Sequence, residues 1–413
     1  MTLSSPMPRA WQRRLTAIAV AAMMAAAPLA HGQTTTESGT PAPAAVTAAQ
    51  TVSAVAQLSN IPSPNIAARA WISVDATSGQ IIAASAPDTR VEPASLTKVM
   101  TAYLVFKALD EKRLTLDQEV PVSEQAWRTP GSRMFIEPRK PVTVSELVQG
   151  MIVQSGNDAS VALAEAVSGS ESAFVALMNQ EAQRLGMKDT HFMNSTGLPN
   201  EQHLTTVRDL SVLAAHIAQD FPDHYKYYSQ REYSYNNITQ PNRNRLLWLD
   251  PTVDGMKTGH TDAAGYCLIA SALRGDRRVV TVVVGTTSET VRAQESLKLL
   301  NWSFQNFDTA QLYAANQAAV EARVWKGEAD TAKLGLTTPV KVTVPRGQVE
   351  KVQPVVERTD PLIAPLEAGQ RVGTLKLVLD NQVLQEMPLV VLEPVAESGF
   401  FGRMVDAIRL RFQ

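Results

Sequence analysis

Three short segments fall in one order along the chain: Ser95-Leu96-Thr97-Lys98, Ser155-Gly156-Asn157 and Lys257-Thr258-Gly259. Attack on an amide carbonyl by a serine hydroxyl needs a nearby base, and no histidine is placed to serve. Lys98 can act if burial and a neighbouring cation keep it neutral part of the time. Lys257 supplies that second charge. Ser155 is then expected to bridge Lys98 and the leaving nitrogen, relaying a proton. Asn157, with an amide donor and an acceptor, suits a grip on a substrate peptide bond. With Ser95 at a helix start, its backbone N–H and the helix dipole favour a developing oxyanion, and the backbone N–H of His260 is the simplest second donor. Lys257 and Thr258 can also bind a carboxylate, which points to a substrate with a free C-terminus.

Each motif alone is weak: S-x-x-K and S-x-N each arise by chance about once in a chain of this size. Ser63-Pro64-Asn65 and Ser234-Tyr235-Asn236 also fit S-x-N. Only Ser155 leads into a helix-like run, Asp158 to Val167, and K-T-G lies in a strand-like context. Taken singly, these residues read as capping serines, surface lysines and turn glycines; their order makes the case for chemistry.

The elements that must position them follow from periodicity. Ala70–Val74 and Ile81–Ser85 flank a polar turn with Asp75 and Gly79, a hairpin signature. Val253–Gly259, Tyr266–Ala272 and Val279–Val284 form three more strand-like runs. A helix is expected from near Pro93, placing Ser95 and Lys98 on one face by their spacing. Further helices are expected over Val144–Ile152, Glu171–Leu185, Val207–Ala218 after Thr205 or Thr206, and Arg292–Phe304. Hairpin-linked strands around a helical middle indicate an α/β chain of the α+β kind, an antiparallel five-stranded sheet flanked by helices.

Residues 1–32 read as a secretory signal peptide: Arg9, Arg13 and Arg14 precede an apolar run to Leu29, and Ala30-His31-Gly32 offers small residues for cleavage. Residues 33–60, rich in Thr, Ala, Pro and Gln, read as a disordered leader. The catalytic domain is expected over 61–308 and a small all-β module over 318–397. At 398–413, Phe401, Met404, Val405, Ile408 and Phe412 repeat at helical spacing beside Arg403 and Arg409, which fits an amphipathic helix lying in a membrane interface. A terminal helix docked on its own domain is the bland alternative. The balance of 38 basic and 40 acidic residues gives no argument for nucleic acid. The single cysteine, Cys267, excludes an internal disulfide and reads as a small buried hydrophobe. The six histidines lack ligand spacing, so neither a metal nor another cofactor is expected.

The chain resembles the D-alanyl-D-alanine carboxypeptidases among the low-molecular-mass penicillin-binding proteins. The likeness is carried by Pro93–Lys98, Ser155–Ala159, Asn194-Ser195-Thr196-Gly197-Leu198, Asn242-Arg243-Asn244, Asp254–Thr261 and Phe400-Phe401-Gly402. It implies a penicillin-binding, serine β-lactamase-like domain, a C-terminal β-sandwich and a C-terminal anchor on the outer face of the inner membrane. It implies removal of the terminal D-alanine from peptidoglycan pentapeptides through an acyl-enzyme on Ser95, covalent inactivation by β-lactams, and a periplasmic location. It also implies roles near the substrate for Arg243 and Arg292. The loop from Ala126 to Pro141 departs from relatives, being shorter and carrying Arg128, Arg133, Arg139 and Lys140; Ser160 stands where relatives carry cysteine. Efficient β-lactam hydrolysis is disfavoured, since Glu201-Gln202-His203-Leu204 only faintly resembles a deacylating loop, which leaves a slow β-lactamase as an alternative on the same scaffold. A DD-endopeptidase remains a competitor within the same chemistry, and a non-catalytic wall-binding scaffold is the alternative from another class.

Overall fold

A computed structural model describes residues 54–411. The expected signal peptide and most of the expected leader lie outside the described residues. The end of that leader is folded: Val55–Leu58 is a short helix with Val55 and Ala56 buried, because this apolar stretch has a core to join.

The central sheet runs, edge to edge, Gln80–Ser85, Ala70–Asp75, Arg277–Thr286, Gly265–Arg274 and Val253–Thr261. All neighbours are antiparallel. Side chains alternate between its two faces. Ile72, Ile269 and Val282 join a core shared with helices Lys98–Asp110, Val144–Val153, Asn157–Ser168, Glu171–Arg184 and Val207–Asp220. Trp71, Leu268 and Val283 join a second core against helix Glu289–Asn306. Ser73 faces the second side too, its hydroxyl 2.7 Å from that of Ser303. With both faces covered, the strands are buried nearly throughout, which is why they read as apolar runs.

Helix starts obey their caps. Thr143 and Glu146 form a reciprocal capping box at Val144, and Thr206 rather than Thr205 accepts the N–H of Asp209. The helix expected from Arg292 begins a turn earlier, at Glu289, behind the Ser288 cap. The largest local departure is at the nucleophile. Ala94–Thr97 is a 3-10 turn, and the α-helix starts only at Lys98. Side chains three apart eclipse in a 3-10 turn, so Ser95 and Lys98 still meet.

A second domain begins at Phe307, not near 318. Strand Phe307–Tyr313 pairs with Val340–Pro345. A six-stranded sheet runs Gln353–Arg358, Arg371–Leu379, Gln382–Val391, Thr331–Gly335, Ala318–Trp325, Leu362–Ile363. Val342 and Val344 from the pair and Leu375, Leu377 and Leu389 from the larger sheet share one core. The domain junction centres on Asp75, fully buried, which accepts from Arg277 Nε at 2.7 Å, from the Thr309 hydroxyl and from the N–H groups of Thr77 and Ser78.

Helix Phe400–Leu410 closes the chain with no buried residue. Asp406 accepts the backbone N–H of Lys326 at 2.7 Å, and Arg403 pairs with Glu397 at 2.6 Å. The helix is thus attached by its polar side, while Phe400, Phe401, Met404, Val405 and Ile408 stay exposed, Phe401 by 77%.

Candidate active site

Ser95, half-buried, sits in the 3-10 turn beneath the open edge of strand Val253–Thr261. That edge comes so close that a Cβ on Gly259 would meet Pro93 O at 3.2 Å and Ala94 Cβ at 3.3 Å. The Lys98 ammonium is buried and donates to Ser95 Oγ at 3.1 Å, to Asn157 Oδ1 at 2.7 Å and to the Thr196 carbonyl at 2.5 Å. Burial first, and then the positive charge of Arg243, pull its pKa down to about 7, against the opposing pull of Asp158. A lysine with that pKa supplies free base near neutrality.

Lys257, also buried, donates to Ser155 Oγ at 3.0 Å and to its neighbour's Thr258 carbonyl at 2.9 Å. Burial and the charges of Lys98, Arg243 and Arg292 hold its pKa well below the ordinary lysine range. The bridge expected between Ser155 and Lys98 is not among the contacts; Ser155 is tied to Lys257 instead. Its backbone, at φ +63°, lies in the left-handed region. Asn157 Oδ1 accepts from Lys98, and one hydrogen of its amide goes to the Pro130 carbonyl at 2.6 Å, which leaves the second amide hydrogen for another acceptor.

Three features went unrecognised in the sequence. The first is Asp158, completely buried at the start of its helix, whose carboxylate accepts the N–H groups of Met134, Phe135 and Ile136 at 3.0, 2.8 and 3.2 Å. It ties down the loop expected between Ala126 and Pro141. The second is hairpin Glu232–Pro241, which closes over that loop: Asn236 Nδ2 donates to Phe135 O and Gln240 Nε2 to Arg133 O, both at 3.1 Å. Ser234, the decoy S-x-N serine, is on this hairpin, bonded to Thr239. The third is His203, buried against Thr97. Hydrophobic runs and caps signal elements, not such contacts; the segments Ser155–Ala159, Asn194–Leu198 and Glu201–Leu204 drew notice as motifs, without these partners.

The remaining site residues line one rim. Thr258 and Gly259 are buried on the strand, and His260 is exposed with its ring 4.0 Å from that of Tyr266. Arg243 is exposed between two buried asparagines; Asn244 Nδ2 holds Gly255 O and Asn242 Nδ2 holds Gln230 O. Arg292 is buried behind it and donates to the Arg243 carbonyl at 3.4 Å. The structure therefore brings together every residue expected at the site, with Arg292 supporting rather than facing it. Cys267 is buried, its thiol pushed up to about 11 by burial.

A serine paired with a neutralisable lysine, on an antiparallel sheet between helical layers, defines a penicillin-binding serine hydrolase. Residues 56–288 match the D-alanyl-D-alanine carboxypeptidase family and residues 307–397 the penicillin-binding protein 5 C-terminal domain, and the chain belongs to that carboxypeptidase family. It is 42% identical over 379 residues to D-alanyl-D-alanine carboxypeptidase DacC of Escherichia coli, covering 90% of this chain and 92% of that one. The crystal structure of penicillin-binding protein 5 from Haemophilus influenzae is similar with a TM-score of 0.79 and 40% identity, over 81% of this chain and 99% of that one. Penicillin-binding protein D2 of Listeria monocytogenes, solved in an ampicillin-bound form, aligns with a TM-score of 0.55 and 29% identity over 59% of this chain and 99% of that one. The activity is that of a serine-type D-Ala-D-Ala carboxypeptidase.

Proposed function

We propose that Ser95 is the nucleophile of this carboxypeptidase and Lys98 its base, and that the substrate is the pentapeptide stem of peptidoglycan. The single observation that carries the assignment is the buried Lys98 amine, 3.1 Å from Ser95 Oγ with its pKa drawn to about 7. Ser95 Oγ attacks the penultimate D-alanine carbonyl as its proton passes to Lys98 Nζ. The backbone N–H groups of Ser95 and His260 receive the oxyanion. The C–N bond then breaks, the leaving amine takes a proton, and water later hydrolyses the ester on Ser95.

Ser155 passes its hydroxyl hydrogen to the leaving nitrogen and is reprotonated by the Lys257 ammonium that donates to its Oγ. When water hydrolyses the ester, its proton returns through Ser155 to Lys257, and Lys98 gives its own back to Ser95 Oγ. Because Lys257 donates to Ser155 Oγ, the serine's own hydrogen is free to point at the leaving nitrogen. The terminal carboxylate is received by Thr258, Lys257 and Arg243, with Gly259 allowing the strand's close approach; Arg292 holds Arg243 from behind. Asn157 places Lys98 through its oxygen and offers its remaining amide hydrogen to the substrate peptide bond. The same groups acylate on the strained amide of a β-lactam.

The domain limits, location and anchoring belong to the same proposal. Residues 1–32 direct export, and 33–53 link to a catalytic domain ending in helix Glu289–Asn306. The chain works in the periplasm, held on the outer leaflet of the inner membrane by 398–413. The exposed apolar side of helix Phe400–Leu410, with its polar side attached to the β domain, supports this.

D-alanine release from a soluble pentapeptide, together with attachment of labelled penicillin, tests the assignment. Ser95→Ala is expected to abolish both. Label appearing on another residue, or turnover surviving in the variant, would overturn it.

A further inference from the structure

The turn that carries Ser95 is strained and clamped from two sides. Ala94, immediately before the nucleophile, has φ +47°, a left-handed conformation that costs an L residue roughly 1–2 kcal/mol and persists only where its surroundings hold it. From one side presses Gly197, so close that a Cβ there would lie 1.8 Å from Ala94 O. From within the turn, the Thr97 hydroxyl donates to that same carbonyl at 2.8 Å.

A hydroxyl has one proton, and that of Thr97 is committed to Ala94. The ring nitrogen 3.0 Å from Thr97 Oγ1, His203 Nε2, must therefore carry the hydrogen and donate it. His203 is 1% exposed, and its other nitrogen, Nδ1, has no partner among the described residues. Burying a bare polar nitrogen costs about 1–3 kcal/mol. A residue retained for packing alone, against Phe192 at 5.7 Å between ring centroids, would avoid that cost by being apolar. What the imidazole contributes is its one bond to Thr97. The ring is neutral, its pKa pulled down to about 4 chiefly by burial and further by His191 and Lys98, which fits a single donor.

We infer that His203 is a positioning residue for acylation: acting through Thr97, it fixes the Ala94 peptide and so aims Ser95 Oγ at Lys98 Nζ. This rests on Ser95 being the nucleophile. The backbone around His203 does not depend on its side chain. His203 N–H donates to Asn200 O at 2.9 Å, Leu204 exchanges hydrogen bonds with His191, and Thr205 does so with Val91, on the segment leading into the nucleophile turn.

The test uses the full chain in detergent and reads the acylation rate with fluorescent penicillin, the labelled residue by peptide mapping, and kcat and KM on a pentapeptide. His203→Ala is expected to lower kcat and acylation about 10- to 100-fold, as small misplacements of a nucleophile do, with KM changed less than about threefold. His203→Gln, whose amide nitrogen reaches about as far as Nε2, is expected to recover activity to within about threefold of the parent, whereas the shorter His203→Asn should not. Thr97→Val, which removes this bond and the one to Ala94, should cause an equal or larger loss, and adding His203→Ala to it should change little, because His203 acts only through Thr97. Equal behaviour of Gln and Asn, losses that multiply in the double variant, or a fall in melting temperature without a fall in acylation would each overturn the inference. Label at Ser95 in the parent with unaffected rates at His203 sinks this inference alone; label elsewhere sinks the assignment beneath it.

Discussion

At the residue scale, the chemistry turns on keeping one amine neutral. Lys98 is the functional base only when unprotonated, so kcat/KM is expected to fall about tenfold per pH unit below about 7 and to level off above it. A pH profile of pentapeptide hydrolysis checks this; a flat profile from pH 5 to 8 would rule it out. The same depressed pKa sets a sign for stability. Between about 7 and the ordinary lysine value of 10.5, the unfolded chain binds a proton that the folded site does not, so stability rises with pH across that window. Lys257 contributes with the same sign. Lys98→Met is expected to flatten the slope, measured by denaturant unfolding at several pH values. Asn157→Ala removes an acceptor from Lys98, so it is expected to slow acylation by labelled penicillin about tenfold or more.

Elements bring these residues together through close backbone approaches and a tied loop. Gly131 has φ +89°, and a Cβ there would lie 2.7 Å from Asn157 Nδ2, the atom that holds Pro130. Gly131→Ala is therefore expected to displace Asn157 and loosen Lys98, lowering acylation about tenfold or more, a loss that stopped-flow penicillin binding would detect. Asp158 gathers three backbone N–H groups of the loop before the hairpin. Asp158→Ala strands those donors in a buried place, and a loss of about 2–4 kcal/mol in unfolding free energy is expected. Hydrogen exchange concentrated at residues 133–136 would locate the effect.

For the whole molecule, two attachments matter. Asp75 holds the domain junction with Arg277, Thr309 and the Thr77–Ser78 turn. Asp75→Ala leaves the Arg277 guanidinium buried without its partner, and a cost of about 3–5 kcal/mol is expected, with calorimetry resolving two transitions in place of one. Truncation after Ser398 removes the exposed apolar helix face. It should abolish sedimentation with anionic lipid vesicles and leave kcat/KM on a soluble pentapeptide within about twofold of the parent. Retained vesicle binding would show that the helix is not the anchor.

Much of this was legible in the residues. The five strands and the helices over 144–153, 171–184 and 207–220 follow from local periodicity and caps, which a sequence carries directly. The pairing of Ser95 with Lys98 needed only a spacing of three, and it survived the replacement of an α-turn by a 3-10 turn because both bring those positions together. Strand Phe307–Tyr313 and hairpin Glu232–Pro241 escaped notice because polar residues interrupt their alternation, and their partners lie across the fold.

The sequence by itself thus determined which reactive groups exist and which neighbours on one turn can touch. Tertiary structure alone decided that Ser155 bonds Lys257 and not Lys98, that Asn157 bonds Lys98, and that His203 reaches Thr97 across 106 positions. Those contacts join segments far apart in the chain, and their geometry is set by how whole layers pack, which no local pattern encodes.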